Sequence, residues 1–128
     1  MQNLTFESAW SKTISNKDRK QIERAFSDAV FDTVNSIYLS PLWQAINHKN
    51  HLLITVLIHN TTQQDLSFHN TKMRYIEGNQ IVAEHSFTIP SLVIEPQTSM
   101  PWTFIFPVDS MRIRAALKNG KLEIVDSE

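Results

Sequence analysis

The chain contains no cysteine. That excludes disulfides, thiol nucleophiles and cysteine-ligated zinc together. Glycine is nearly as scarce: Gly78 and Gly120 are the only two, and they stand too far apart to form a phosphate-cradling loop. There is no G-x-S-x-G nucleophile elbow and no paired-carboxylate strand end. No apolar run approaches the roughly 20 residues needed to span a bilayer. Met1 to Thr13 has no basic region followed by an apolar stretch, so no signal peptide is visible and a cytoplasmic location is expected. A net charge of −1 offers no field to draw nucleic acid or a membrane surface. Repeats, low-complexity tracts and flexible linkers are also missing.

What remains is enough for one core. A chain of 128 residues has the size of a single domain and buries roughly 68–70% of its unfolded surface. Apolar residues make up 41% and charged residues 20%, a balance that separates it from disordered chains. We expect one domain over residues 1–128, with a helical part at 1–36 and a β part at 37–128.

Ser15 is placed to cap a helix, with Asp18 in its first turn. Ile22, Ala25, Phe26, Ala29 and Val30 then follow the i, i+3, i+4, i+7, i+8 rule of an amphipathic helix. Lys17, Arg19, Lys20, Glu23, Arg24 and Asp28 fall mostly on the other side. Phe6 and Trp10 are expected to fold back onto the same core. Beyond Pro41 the period becomes two. His51 to Asn60 predicts a long strand, with Leu52, Ile54, Val56 and Ile58 on one face and Leu53, Thr55, Leu57 and His59 on the other. Two leucines on that second face predict a cover, and the helix is the obvious one. Asn70–Ile76 and Gln80–Thr88 flank Glu77-Gly78-Asn79, a hairpin turn. Leu92 to Pro96 is expected to be a short crossover. Thr98–Phe106 puts Met100, Trp102, Phe104 and Phe106 on one face, which predicts core packing for Trp102. Leu122–Val125 closes the chain after the Asn119-Gly120 turn. The expected fold is mainly β: an N-terminal amphipathic helix packed on an antiparallel, immunoglobulin-like β-sandwich.

Candidate chemistry is thin. The five histidines, His48, His51, His59, His69 and His85, are too scattered for the three or four convergent ligands of a metal site. We expect solvated surface histidines, with a His59–His85 pairing left open. Trp43, near the junction with the helix, is a candidate partner contact, because half-exposed aromatics anchor interfaces. Arg112 and Arg114, with Lys118 and Lys121, form a basic group able to steer an acidic partner, or simply a solvated face. No catalytic residue, cofactor or metal is expected.

The residues assembled above resemble one known family. Leu4-Thr5-Phe6-Glu7-Ser8-Ala9-Trp10 leads into Ile14-Ser15-Asn16-Lys17-Asp18-Arg19. A strand ends in an asparagine at Val56-Leu57-Ile58-His59-Asn60. Ile94-Glu95-Pro96 and Pro101-Trp102-Thr103-Phe104-Ile105-Phe106-Pro107 close the pattern. Together they are similar to the SLAP domain of Gram-positive bacteria, which is associated with accessory Sec system S-layer assembly proteins. The W-x-F-x-F-P run is its most specific part. The resemblance implies a non-enzymatic domain that works by protein contact, in or near protein export or cell-surface assembly. It brings no catalytic residues. A homodimer through exposed strand edges stays open, as does a small-molecule or carbohydrate-binding module built on Trp43.

Overall fold

The computed structural model describes residues 1–31 and 36–125. Residues 32–35 of the expected helical part lie outside it. Element order is β1 (Asn3–Leu4), α1 (Ser8–Thr13), α2 (Asn16–Asp28), β2 (Ile37–Ile46), β3 (Leu52–Asn60), β4 (Leu66–Glu77), β5 (Gln80–Ile94), β6 (Thr98–Phe106), a 3₁₀ turn at Val108–Ser110, and β7 (Gly120–Ile124). Four strands form one sheet in the order β1-β6-β3-β2, and three form a second in the order β5-β4-β7. All pairings are antiparallel except β1 with β6, which is parallel.

Period-two alternation builds the core as expected. Leu52, Ile54, Val56 and Ile58 of β3 join Phe104 and Phe106 of β6 on the inner face of the first sheet. Phe68, Met73, Tyr75, Val82, Phe87 and Leu122 answer from the second. Phe104 meets Phe68 at 5.5 Å and Phe87 at 5.3 Å between ring centroids, and Phe87 meets Phe106 edge-on at 5.1 Å. Each such side chain contributes about 2–3 kcal/mol by leaving water. Trp102 and Met100 lie on this same face, partly buried against the cluster.

The outer face of the first sheet is covered too. α2 packs on β2 and β3. Its Ile22 is fully buried, as are Leu57 and His59 beneath it. Ser15 caps α2 as expected, its Oγ accepting from the Asp18 N–H at 3.1 Å. The apolar stripe is shorter than its spacing predicts. The helix stops at Asp28, Ala29 is its C-cap, and Val30 is 78% exposed. Phe6 and Trp10 do not join the core. Phe6 lies under the Arg19 guanidinium, 4.7 Å from its ring centroid. Trp10 sits in α1, capped by the Glu7 carboxylate, which accepts from the Ala9 and Trp10 amides.

Two elements depart from expectation, both around proline. β2 begins at Ile37 and runs through Pro41. It is an edge strand, where a missing N–H leaves no partner unsatisfied. Leu42 is an extra residue between the Pro41–Val56 and Trp43–Thr55 pairs. This bulge reverses side-chain parity, so Ile37 and Leu39 face the core whereas Trp43 lies opposite outward-facing Thr55. β5 continues to Ile94, so Leu92–Ile94 is strand rather than crossover. It too is an edge strand, and Pro90-Ser91-Leu92 form an irregularity between the Phe68–Ile89 and Ser67–Val93 pairs. The Gly78-Asn79 turn is as expected: Glu77 pairs with Gln80, and Gly78 supplies the positive φ of 60°.

Candidate functional site

The 3₁₀ turn and the segment that follows it form the best-defined surface feature. Met111 makes an isolated antiparallel bridge with Ala83, and the Arg112 N–H donates to the Val82 carbonyl at 2.7 Å. The segment therefore runs briefly along the free edge of β5. At one end the His51 Nδ1 accepts from the Val108 N–H at 3.0 Å. At the other, the Glu77 carboxylate accepts from the Ala116 and Leu117 amides, both at 2.8 Å, and from the Tyr75 hydroxyl at 3.1 Å. Gln44 Nε2 donates to the Leu117 carbonyl. Held at both ends, the segment presents Arg112, Ile113 and Arg114 to solvent.

These residues wall a surface groove of about 680 Å³ with Ile46, Val108, Met111 and Ala115. Ile46, Val108 and Ile113 are 38%, 45% and 39% exposed. Arg112 and Arg114 are the only charged residues in its lining among the described residues. Arg112 also reaches away from it: its Nη2 lies 2.8 Å from Glu84 Oε1. Glu84 is shared further with Arg74 at 2.6 Å and Lys72 at 3.8 Å. The Arg74 hydrogen bond, joined by the charges of all three cations, holds the Glu84 carboxyl below the usual carboxylate range. One carboxylate facing three cations leaves positive charge in excess. Arg114 forms no ion pair among the described residues. Of the expected basic group, Lys121 lies elsewhere, on β7, where it pairs with Glu123 at 3.6 Å.

Trp43 is not part of this groove. With its parity reversed by the bulge, it lines a separate hollow of about 440 Å³ with Ala9, Trp10, Thr13, Ile14 and Asp18. It is partly buried. The structure therefore groups Arg112 with Arg114 and separates both from Trp43. A third hollow, between α2 and Pro41-Leu42, is lined by Lys17, Lys20, Arg24 and Asp28. It is the charged outer side of the amphipathic helix.

The histidines resolve into different roles. His48 and His69 are exposed, as expected. His59 is not: it is fully buried. Its Nε2 hydrogen-bonds Ser40 Oγ at 2.8 Å and its Nδ1 hydrogen-bonds Ser99 Oγ at 2.6 Å. The imidazole thus ties β2, β3 and β6 together, with the Phe31 ring edge-on at 5.0 Å. Burial pushes its pKa down to about 4, so the ring is neutral at physiological pH. A buried neutral histidine between two hydroxyls, with no carboxylate bonded to it among the described residues, suits cross-strand bonding. His85 lies in the other sheet against Phe87, so it does not pair with His59. Among the described residues no three histidines or acids converge on a point that could hold a metal, and no helix is long and apolar enough to cross a membrane.

One residue of the Val56–Asn60 motif carries more structure than its type suggests. Asn60 is fully buried. Its Nδ2 donates to the carbonyls of Gln64, Ile94 and Glu95 at 2.8, 2.9 and 3.1 Å. Its Oδ1 accepts from the Thr62 N–H and hydroxyl. The side chain fastens the end of β3 in one sheet to the end of β5 in the other. An asparagine closing an apolar strand was the available signal for this role.

The SLAP domain family model matches residues 4–124. No curated protein and no solved structure matches the chain. The match takes in α1, both sheets, Asn60 and the whole aromatic run from Pro101 to Pro107. On that near-complete coverage, the chain belongs to the SLAP domain family.

Proposed function

We propose that this is a non-enzymatic protein-interaction domain on an immunoglobulin-like sandwich. It acts in the cytoplasm, with neither cofactor nor nucleic acid, close to protein export or cell-surface assembly. The observation that carries the reading is the groove walled by Ile46, Val108 and Ile113 beside Arg112 and Arg114. Exposed aliphatics clustered around arginines, where the end of β2 meets a segment pinned through its backbone amides, are the makings of a protein contact. Chemical cross-linking in cells of the source organism, followed by purification of this chain, tests it. A recurrent partner cross-linked to residues 108–115 is expected. Cross-links distributed over the whole surface without a recurrent partner overturn it. Light scattering at increasing concentration separates a foreign partner from a homodimer formed through a free sheet edge.

A second reading rests on the hollow between Trp10 and Trp43, where Thr13 and Asp18 add polar groups. Two indoles around a small hollow suit stacking on a sugar or another flat ligand. A ligand-induced rise in melting temperature across a sugar and metabolite panel, abolished by Trp43→Ala, favours this reading.

A further inference from the structure

We infer that the groove takes an acidic peptide segment, with a bulky apolar side chain over Ile46, Val108 and Ile113 and carboxylates against Arg114 and Arg112. The inference rests on the protein-interaction reading and names the chemistry of the partner. Three observations converge on it. The apolar floor is exposed yet formed by β2, which supplies Ile46, and by a segment fixed at both ends, which supplies Val108 and Ile113, so an incoming side chain meets a formed surface. Among the described residues no carboxylate lines the groove, whose charge is that of two arginines. Behind them Lys72 and Arg74 add positive potential that Glu84 only partly cancels. A basic or neutral peptide would leave the Arg114 guanidinium without a counter-charge as it loses water; an acidic one supplies it in a two-pronged hydrogen-bonding geometry. Complementarity of this kind sets partner choice and speeds association.

Selection from a displayed random peptide library tests the inference, run in parallel on the full chain and on its Arg114→Glu and Ile113→Ser variants. Both positions are exposed, and an unchanged thermal melt verifies that each variant folds. The expected result is enrichment of peptides rich in Asp and Glu around a Leu, Phe or Trp. Their affinity should fall at least about fivefold in either variant and weaken as salt is raised from 50 to 500 mM. Enrichment of basic or neutral peptides, or of acidic peptides that both variants bind equally well, overturns the inference while leaving a protein-interaction domain in place. Enrichment of no peptide at all overturns the inference and removes the support that the groove lends to the interaction reading.

Discussion

Single side chains carry unusual weight in this small domain. Asn60 satisfies five hydrogen-bonding groups across both sheets. Asn60→Ala leaves the buried Ile94 carbonyl without this donor, along with the partly buried carbonyls of Gln64 and Glu95, and an unsatisfied buried group costs about 1–3 kcal/mol. Urea denaturation should show a loss of roughly 2–4 kcal/mol. The two glycines differ in the same test. A Cβ at Gly120 would overlap the Tyr75 ring and hydroxyl, and Tyr75 is buried. At Gly78 the space is open and only the positive φ matters. Gly120→Ala should therefore lower the melting temperature further than Gly78→Ala, by the about 1–3 kcal/mol of overpacking against about 1 kcal/mol of backbone strain. His59 makes stability depend on pH. Its folded pKa, about 4, lies below the ordinary imidazole value of 6.5, so between these values the unfolded chain binds more protons. Stability should fall as pH drops from about 6.5 to 4, by an amount of the order of 2–3 kcal/mol. Glu84 adds a loss of the same sign at lower pH, since its carboxyl is also held down. Denaturation of His59→Gln over the same range isolates the imidazole, because its slope should be shallower by that amount.

Among the elements, those with an uninterrupted period were legible. β3 and β6 alternate without a break, and their inner faces are those the pattern predicts. Trp102, paired with Val56, packs on that face without being fully enclosed. Trp102→Ala should cost roughly 2–4 kcal/mol in a chemical melt, toward the lower part of the range for core aromatics. β2 and β5, each crossed by a proline, were hidden. Pro41 and Pro90 break the appearance of a strand, yet each sits at a sheet edge or irregularity where its missing N–H is harmless. The fate of Trp43 turned on the Leu42 bulge, which no periodicity announces. Arg112 and Arg114 were legible as a pair because they stand two apart in one loop. Ile46 and Val108, which complete their groove, arrive from distant parts of the chain through β2 and the turn after β6. His59 looked like any surface histidine, since only the cover provided by α2 and Phe31 distinguishes it.

At the scale of the molecule, the pairings are mostly non-local. β1 joins β6, β6 joins β3, and β7 returns to β4. Such topologies fold in milliseconds to seconds. Stopped-flow refolding followed by tryptophan fluorescence should give a main phase in that range, and a microsecond phase carrying the full amplitude would contradict the pairing order. The placement of β6 between β1 and β3 also bears on how the chain emerges during synthesis. β3, with Leu52-Leu53-Ile54-Thr55-Val56-Leu57-Ile58, is the most apolar strand in the chain. Until β6 follows it off the ribosome, one edge of β3 stands open. At about 5–20 residues per second, the intervening stretch occupies the ribosome for roughly 2–10 s. During that interval the nascent chain carries a β-rich, uncharged segment of the kind that pairs with its own copies. The aromatic strand that closes the sheet is thus also what ends the period of greatest risk in translation.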